Sequence, residues 1–186
     1  MDPTGKGSGI DISWTAAFPL LAGWLHRYYG ETAEVRAHYP AIKMYLDAQL
    51  SSAKLDNRPG DLPDFWTWGD WCAVEARAEC TPGTGANAAA ANFLLAIDSF
   101  AGVATALGES ADAKRWAAAH DELVKVYDTR FWNATMQTWA NDPMEVQTLT
   151  SIALGAGVGS PAHRAAALKA LVANVNSFDD HLTVGR

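Results

Sequence analysis

The sequence predicts an all-α protein built from helical hairpins. Apolar residues recur with the helical period along most of the 186 residues, and glycines or capping residues divide them into six segments. The links between segments alternate between short and long, which is typical of helices paired as hairpins. A hydrophobic fraction of 49% and a charged fraction of 19% indicate a globular chain.

The first predicted hairpin joins residues 14–29 to residues 32–53. The first helix opens at Trp14, tolerates Pro19 in its first turn and stops at Gly30. We expect Pro40 to break the second region into a short entry turn and a longer helix. The apolar face of the first helix is Phe18, Leu21, Leu25 and Tyr28. That of the second is Ile42, Tyr45, Leu46 and Leu50.

The second predicted hairpin joins an alanine-rich helix, residues 86–107, to a helix that runs to about residue 130. Gly108 ends the former, and Ser110 is expected to be the N-cap of the latter. The apolar positions of the former are Phe93, Ile97, Phe100 and Ala104. Those of the latter are Trp116, Leu123, Val126 and Tyr127.

The third predicted hairpin joins a helix near residues 144–158 to a helix that ends at about residue 174. Ser160 is a favourable N-cap for the latter, and Pro161 suits its first position. The last stretch, FDDHLTVGR, is expected to be irregular.

The alternation of links predicts where a site would lie. Because short links join the helices within each hairpin, all the long links fall at the opposite end, and they carry the aromatic and acidic residues. A helical-hairpin barrel builds a site in this way. A simple helical repeat array would give a similar pattern, although no fixed period is visible.

An unusual aromatic cluster lies in the longest link, residues 54–84. The stretch WTWGDWCAVEARAEC, residues 66–80, holds three tryptophans within six residues around Gly69 and Asp70. An indole stacks on the C–H face of a sugar ring, and a carboxylate accepts hydrogen bonds from vicinal hydroxyls. Trp68, Asp70 and Trp71 therefore form a carbohydrate-type constellation. Alternatively, the tryptophans plug the end of a helical core and Asp70 caps the next segment.

Other candidate residues are more scattered. Trp14 is either a site residue or part of a hydrophobic staple. Glu75 and Glu79 are candidates for an acid/base pair, since glycoside hydrolysis needs two carboxylates, or they belong to a solvated loop. His181, beside two aspartates in the terminal stretch, is a candidate site residue. The histidines expected at the surface or half-buried are His26, His38, His120 and His163.

Several function classes are disfavoured. A net charge of −7 argues against nucleic acid as a partner, and no apolar run approaches the roughly 20 residues that span a membrane. The start MDPTGKGSGIDISW has no apolar core of a signal peptide. No spacing of metal ligands, phosphate loop or G-x-S-x-G motif is present, so neither a metal nor a cofactor is expected. Cys72 and Cys80 either close a disulfide in a secreted protein or remain thiols.

Motifs that follow one another in the expected order resemble the catalytic domain of bacterial-type α-L-rhamnosidases, glycoside hydrolase family 78. SWTAAFPLLAGWLHRYYG is similar to the family's helix that opens with Trp, and Tyr39-Pro40-Ala41-Ile42-Lys43 is similar to the helix after it. Gly69-Asp70-Trp71 resembles the family's Gly-Asp-Trp loop. The later matches are Gln147-Thr148 through Ala153-Leu154, and His181-Leu182-Thr183 with Gly185. The resemblance covers essentially the whole chain.

The resemblance implies that residues 1–186 are an internal fragment, about half, of an (α/α)6 six-hairpin glycosidase barrel. It implies hydrolysis of terminal α-L-rhamnose from glycosides with inversion, with the general acid and the general base expected outside this chain. The implied substrate-binding residues are Trp14, Trp68, Asp70, Trp71 and His181. The family often has Gly-Asp after the first Trp, where this chain has Thr15-Ala16.

Two other interpretations stay open at the level of sequence. One is a different six-hairpin glycosidase or polysaccharide lyase, because the barrel does not fix the substrate. The other is a non-catalytic helical module whose aromatic loop binds a carbohydrate or another partner. A half-barrel would in any case expose a large apolar face.

Overall fold

A computed structural model describes residues 11–65, 67 and 85–183. These residues form seven α-helices and one 3-10 turn, Pro143–Glu145. The helices are α1 (Ile12–Thr15), α2 (Ala17–Tyr29), α3 (Ala33–Leu50), α4 (Gly85–Leu107), α5 (Ser110–Phe131), α6 (Val146–Gly155) and α7 (Pro161–Ser177). Within the described ranges, β-structure is limited to isolated bridges between Lys54 and Pro63 and between Asn133 and Thr138.

The helices pair as the sequence predicts, into three hairpins arranged in two layers. The hairpins are α2/α3, α4/α5 and α6/α7. α4 is central, because it packs on α2 at one side, on α6 at the other and on α5 behind. The described part of the chain is therefore all-α, with α2, α4 and α6 in one layer and their partners in the second.

α4 forms the centre of the hydrophobic core. Its predicted apolar positions, Phe93, Ile97, Phe100 and Ala104, are all fully buried. The helix is long and apolar enough to cross a membrane by length and composition, so the expectation that no such run exists is wrong. Most of it is nevertheless buried between its neighbours, as in the core helix of a globular domain.

A close helix crossing fixes α2 against α4. Ser99 Oγ donates to the carbonyl of Pro19 at 3.0 Å. A Cβ atom added to Gly23 would collide with the same Ser99 Oγ, so a larger residue there would displace the hydroxyl from its hydrogen bond to Pro19. This crossing sets the position of the first hairpin relative to the core.

The first predicted helix is divided in two. α1 ends at Thr15 and α2 begins at Ala17, and Gly30 ends α2 with φ +66°, as expected. The predicted apolar face of α2 is present but lies between 40% and 68% exposed, at Phe18, Leu21, Leu25 and Tyr28. The expected exposed apolar surface is therefore found on this helix, where the described residues provide no further layer to cover it.

Pro40 does not break α3, in contrast to the prediction. The helix runs without interruption from Ala33 to Leu50 with Pro40 inside it and exposed. The face that packs on the core, which includes Val35, Ile42 and Leu46, lies on both sides of the proline. Burial of that face keeps the helix continuous although proline removes one backbone hydrogen bond.

Two other helix ends differ from the predictions. Glu109, rather than Ser110, is the N-cap residue of α5, and its carbonyl accepts from the Ala113 N–H at 2.9 Å. α6 is shorter than predicted, because Gly157 turns the chain with φ +74°. The cap at Ser160 is confirmed, since its side chain accepts from the His163 N–H at 3.1 Å.

A polar contact joins the outer helices α3 and α5. Lys43 Nζ lies 2.6 Å from both carboxylate oxygens of Asp112, and the Tyr39 hydroxyl donates to Asp112 at 2.8 Å. The Lys43 hydrogen bond holds the pKa of Asp112 below its usual value. Asp112 is thus ionised over a wider pH range than an isolated carboxyl.

Asp112→Asn should lower the free energy of unfolding by about 1 kcal/mol at neutral pH, because Lys43 loses its charged partner. A carboxyl group whose pKa is lowered by folding stabilises the folded state at pH values above the ordinary carboxyl pKa of about 3.9. This stabilisation is lost as the pH falls through the lowered pKa. The difference between wild type and variant should therefore close below about pH 4. Urea unfolding at several pH values measures it.

The exposed pair of Glu122 and Lys125, 3.0 Å apart, supplies the matched control. Glu122→Gln should leave stability nearly unchanged at every pH, because exposed ion pairs contribute little. A pH-independent difference for Asp112→Asn would contradict the assigned role of the charge.

Candidate functional site

The long links of the three hairpins meet at one end of the molecule, as predicted. The short links 30–32 and 108–109 lie at the other end, whereas the short link 156–160 packs against Trp139 of the link 132–145. The site end holds the start of α1, Thr67, the link 132–145 and the described residues after α7. Hydrogen bonds between these segments fix their positions relative to one another.

Trp14 lies at this end on α1 and is 58% exposed. Asp11 is the N-cap of α1, and its side chain accepts from the backbone N–H and the hydroxyl of Ser13 at 2.9 and 2.6 Å. The Thr15 hydroxyl forms a hydrogen bond with the Tyr45 hydroxyl at 2.6 Å. Burial raises the pKa of Tyr45 to about 12. The Trp14 indole is therefore exposed among the described residues and does not pack into the hydrophobic core.

Thr67 joins α1 to the aromatic link. Its hydroxyl donates to Ser13 Oγ at 3.1 Å, and a Cβ atom added to Gly85 would lie 3.6 Å from Thr67 Cγ2. The chain therefore enters and leaves the segment 68–84 at one place, beside α1. The predicted site residues Trp68, Asp70 and Trp71 lie outside the described residues, as do Glu75, Glu79, Cys72 and Cys80.

A buried polar cluster that the sequence did not indicate fixes the link 132–145. Asn87, in the first turn of α4, donates to the carbonyl of Trp139 and accepts from the Tyr127 hydroxyl. Trp139 is fully buried, and its indole N–H donates to Asp128 at 2.9 Å. Tyr127 is also fully buried, and this burial raises its pKa.

His163 completes this cluster from α7. Its Nδ1 lies 2.9 Å from Asp128 Oδ2, and its ring stacks on Trp132 at 3.9 Å with an angle of 7°. The expectation that His163 is half-buried is correct, but its partners are 31 to 35 residues away in sequence. The cluster ties the third hairpin to α5, and it has a packing role at the base of the site end.

His181 lies in the turn that follows α7. Asp179 and Asp180 both have positive φ, +52° and +60°, and they turn the chain away from the helix. The side chain of Gln147, 2% exposed, donates to the carbonyl of His181 at 3.1 Å and accepts from the Thr183 N–H at 3.0 Å. The imidazole of His181 is exposed, and its Nδ1 lies 3.0 Å from the carbonyl of Phe178.

The structure thus places Trp14 and His181 at the same end, on the first and the last described segments. Within residues 11–65, 67 and 85–183, no hydrogen bond or ring contact joins these two side chains. Across the same ranges, no group of three or more His, Cys, Asp or Glu side chains is arranged to hold a metal ion.

A groove of about 510 Å³ lies elsewhere, between α2, α4, α5 and the end of α6. Its lining includes Trp24, Asp98 and Gly102, but none of the predicted site residues. The site end is the better candidate, because the long links converge there and the groove lies along the helices.

Comparison with known proteins gives one family. Residues 2–186 match the model of the bacterial alpha-L-rhamnosidase 6 hairpin glycosidase domain. The search of curated proteins found no match.

Two solved structures resemble the fold. An α-L-rhamnosidase from Aspergillus terreus is 18% identical with a TM-score of 0.77, over 97% of this chain and 21% of that chain. An α-L-rhamnosidase from Dictyoglumus thermophilum is 22% identical with a TM-score of 0.77, over 98% of this chain and 20% of that chain. This chain spans about a fifth of the length of these structures.

Proposed function

Since the chain belongs to the family of bacterial α-L-rhamnosidase six-hairpin glycosidase domains, we propose that it forms one wall of the substrate site in a glycoside hydrolase that releases terminal α-L-rhamnose. The observation that supports this most is the position of Trp14. Its exposed indole sits on a turn hydrogen-bonded to Thr67, immediately before the segment that carries Trp68, Asp70 and Trp71.

The chemistry of these residue types suits a deoxysugar. Rhamnose has a methyl group at C6, so one side of its ring is unusually apolar and stacks well on indole. The carboxylate of Asp70 would accept hydrogen bonds from two neighbouring hydroxyls on the polar side. The partner of the site is accordingly a rhamnose-containing glycoside or oligosaccharide, bound with Trp14, Trp68 and Trp71 against its apolar face and with His181 at its edge.

The reaction we propose is hydrolysis with inversion. It needs a carboxylic acid to protonate the leaving oxygen and a carboxylate to activate water on the opposite face, about 6.5–9.5 Å apart. By family resemblance, both groups are supplied by parts of the full-length protein outside this chain. The residues of this chain would bind and orient the sugar between them.

The experiment is hydrolysis of 4-nitrophenyl α-L-rhamnopyranoside by the full-length protein, with the β-D-glucopyranoside as the control substrate. Proton NMR of the first-formed sugar reports the stereochemistry, and β-L-rhamnose is the product expected for inversion. Release of nitrophenol from the glucoside alone would indicate a different glycosidase. An unsaturated uronic product from acidic polysaccharides would indicate a lyase, and binding without turnover would indicate a non-catalytic module.

A further inference from the structure

Gln147 makes an unusual pair of contacts for a buried side chain. Both polar atoms of its carboxamide bond to the main chain of the residues after α7, the Nε2 atom to the carbonyl of His181 and the Oε1 atom to the N–H of Thr183. Thr183 is fully buried, and its hydroxyl donates to the carbonyl of Met144 at 3.3 Å. The backbone of the terminal stretch is therefore fixed on either side of Leu182.

The ring of His181 is fixed separately. A carbonyl oxygen can only accept, so the contact with Phe178 requires that Nδ1 of His181 carry the proton. In the neutral imidazole, Nε2 is then an acceptor. Among the residues that the structure describes, no other group hydrogen-bonds this ring, which is exposed at the site end.

We infer that Gln147 is a positioning residue for substrate binding, and that it acts through His181. Gln147 holds the backbone of His181 in place, and the carbonyl of Phe178 sets the tautomer, so that Nε2 accepts a hydrogen bond from a sugar hydroxyl. This inference rests on the proposed function. Its ligand is a hydroxyl of the rhamnosyl residue or of the sugar next to it.

The hydrogen bonds from Gln147 to the terminal stretch are made by a buried side chain on a packed helix. Gln147 lies in the first turn of α6, a helix packed on α4 and α7, and it is buried. A buried carboxamide with both groups bonded is costly to disturb, because either backbone group would lose its partner away from water. The position of His181 is thus coupled to the rigid third hairpin.

Gln147→Met keeps the length of the side chain but removes both hydrogen bonds. In the full-length protein we expect KM for the aryl rhamnoside to rise about tenfold and kcat to change less than about twofold, since a binding contact is weakened. Gln147→Glu keeps the acceptor for Thr183 and loses the donor to His181, so its KM should lie between those of wild type and Gln147→Met. Gln49→Met, at another buried glutamine, is the matched control and should leave KM unchanged.

The deciding measurement is a double-mutant cycle with His181→Ala. If Gln147 acts through His181, Gln147→Met should have almost no further effect on KM in the His181→Ala background. Effects that multiply would overturn the inference, as would a wild-type KM in both Gln147 variants. Should Gln147→Met fail to fold, the Gln147→Glu variant completes the same cycle.

Hydrogen exchange separates this inference from the proposed function. Gln147→Met should increase exchange of the Thr183 amide in the full-length protein at least tenfold, and unchanged exchange would overturn the positioning role even if the enzyme is active. If wild type hydrolyses no rhamnoside, the proposed function fails and the inferred role in substrate binding fails with it. If wild type is active and the cycle is additive, only the inference fails.

Discussion

Asp70→Ala in the full-length protein should raise KM for a rhamnoside about 10- to 100-fold. A carboxylate that accepts hydrogen bonds from two hydroxyls is worth about 1.5–3 kcal/mol, and each 1.4 kcal/mol corresponds to a factor of ten. The fold should stay intact, because the effect is assigned to a ligand contact. Initial-rate kinetics over a range of substrate concentration measure the change, and circular dichroism checks the fold.

Two control variants sharpen the test of Asp70. Asp64→Ala removes an exposed aspartate elsewhere in the same link and should leave the kinetics unchanged. Asp70→Asn keeps the shape of the side chain and should lose less binding than alanine. Wild-type kinetics in Asp70→Ala would remove Asp70 from the pocket, whereas a collapse of stability would favour the alternative that it caps the next segment.

Trp139→Ala should lower the free energy of unfolding by about 3–5 kcal/mol, the largest stability effect that we expect from a single described residue. The indole is fully buried, donates to Asp128 and packs edge-on against Trp132 with the ring centroids 5.3 Å apart. Its removal leaves a cavity between α5 and the turn before α7. Urea unfolding with an unchanged m-value measures the loss as a change in stability.

Trp139→Phe separates packing from hydrogen bonding at this position. The phenyl ring fills most of the volume but leaves Asp128 without the indole donor, so we expect a loss of about 1–2 kcal/mol. A loss below about 1 kcal/mol in Trp139→Ala would contradict the role of this cluster in holding the link 132–145. Equal losses in both variants would mean that the hydrogen bond, rather than packing, accounts for the effect.

The cluster around Trp139 also explains why part of the site end could not be predicted. Asn87, Asp128, Trp139 and His163 belong to three helices and a link, and no local pattern relates them. One sequence signal pointed to a buried cluster in this link, since tryptophans at positions 132 and 139 are unusual in a polar link. By contrast, Trp14 stood out in the sequence because it opens a helix at a predicted link end; the structure leaves it exposed, and its role in a site stays a prediction.

Local sequence determined the helices, most of their ends and the order of hairpins. Helix ends are set by residues in the adjacent turn, as at Gly30, Gly108 and Ser160. The apolar positions of α4 depend only on the helical period. Such features are readable because they involve residues within about four positions of each other. The lengths of the links followed from the same ends, and they favour the end of the hairpins at which we propose the site.

Only the tertiary structure decided features that depend on contacts between distant residues. Burial of the face around Ile42 and Leu46 kept α3 continuous through Pro40, against its local tendency. Gln147 reached the backbone of His181, 34 residues away, only because α6 and α7 pack side by side. Helices are stabilised when they bury surface against each other, and that stabilisation depends on the whole arrangement of helices. Neither the continuity of α3 nor the contact of Gln147 with His181 is therefore encoded in one stretch of sequence.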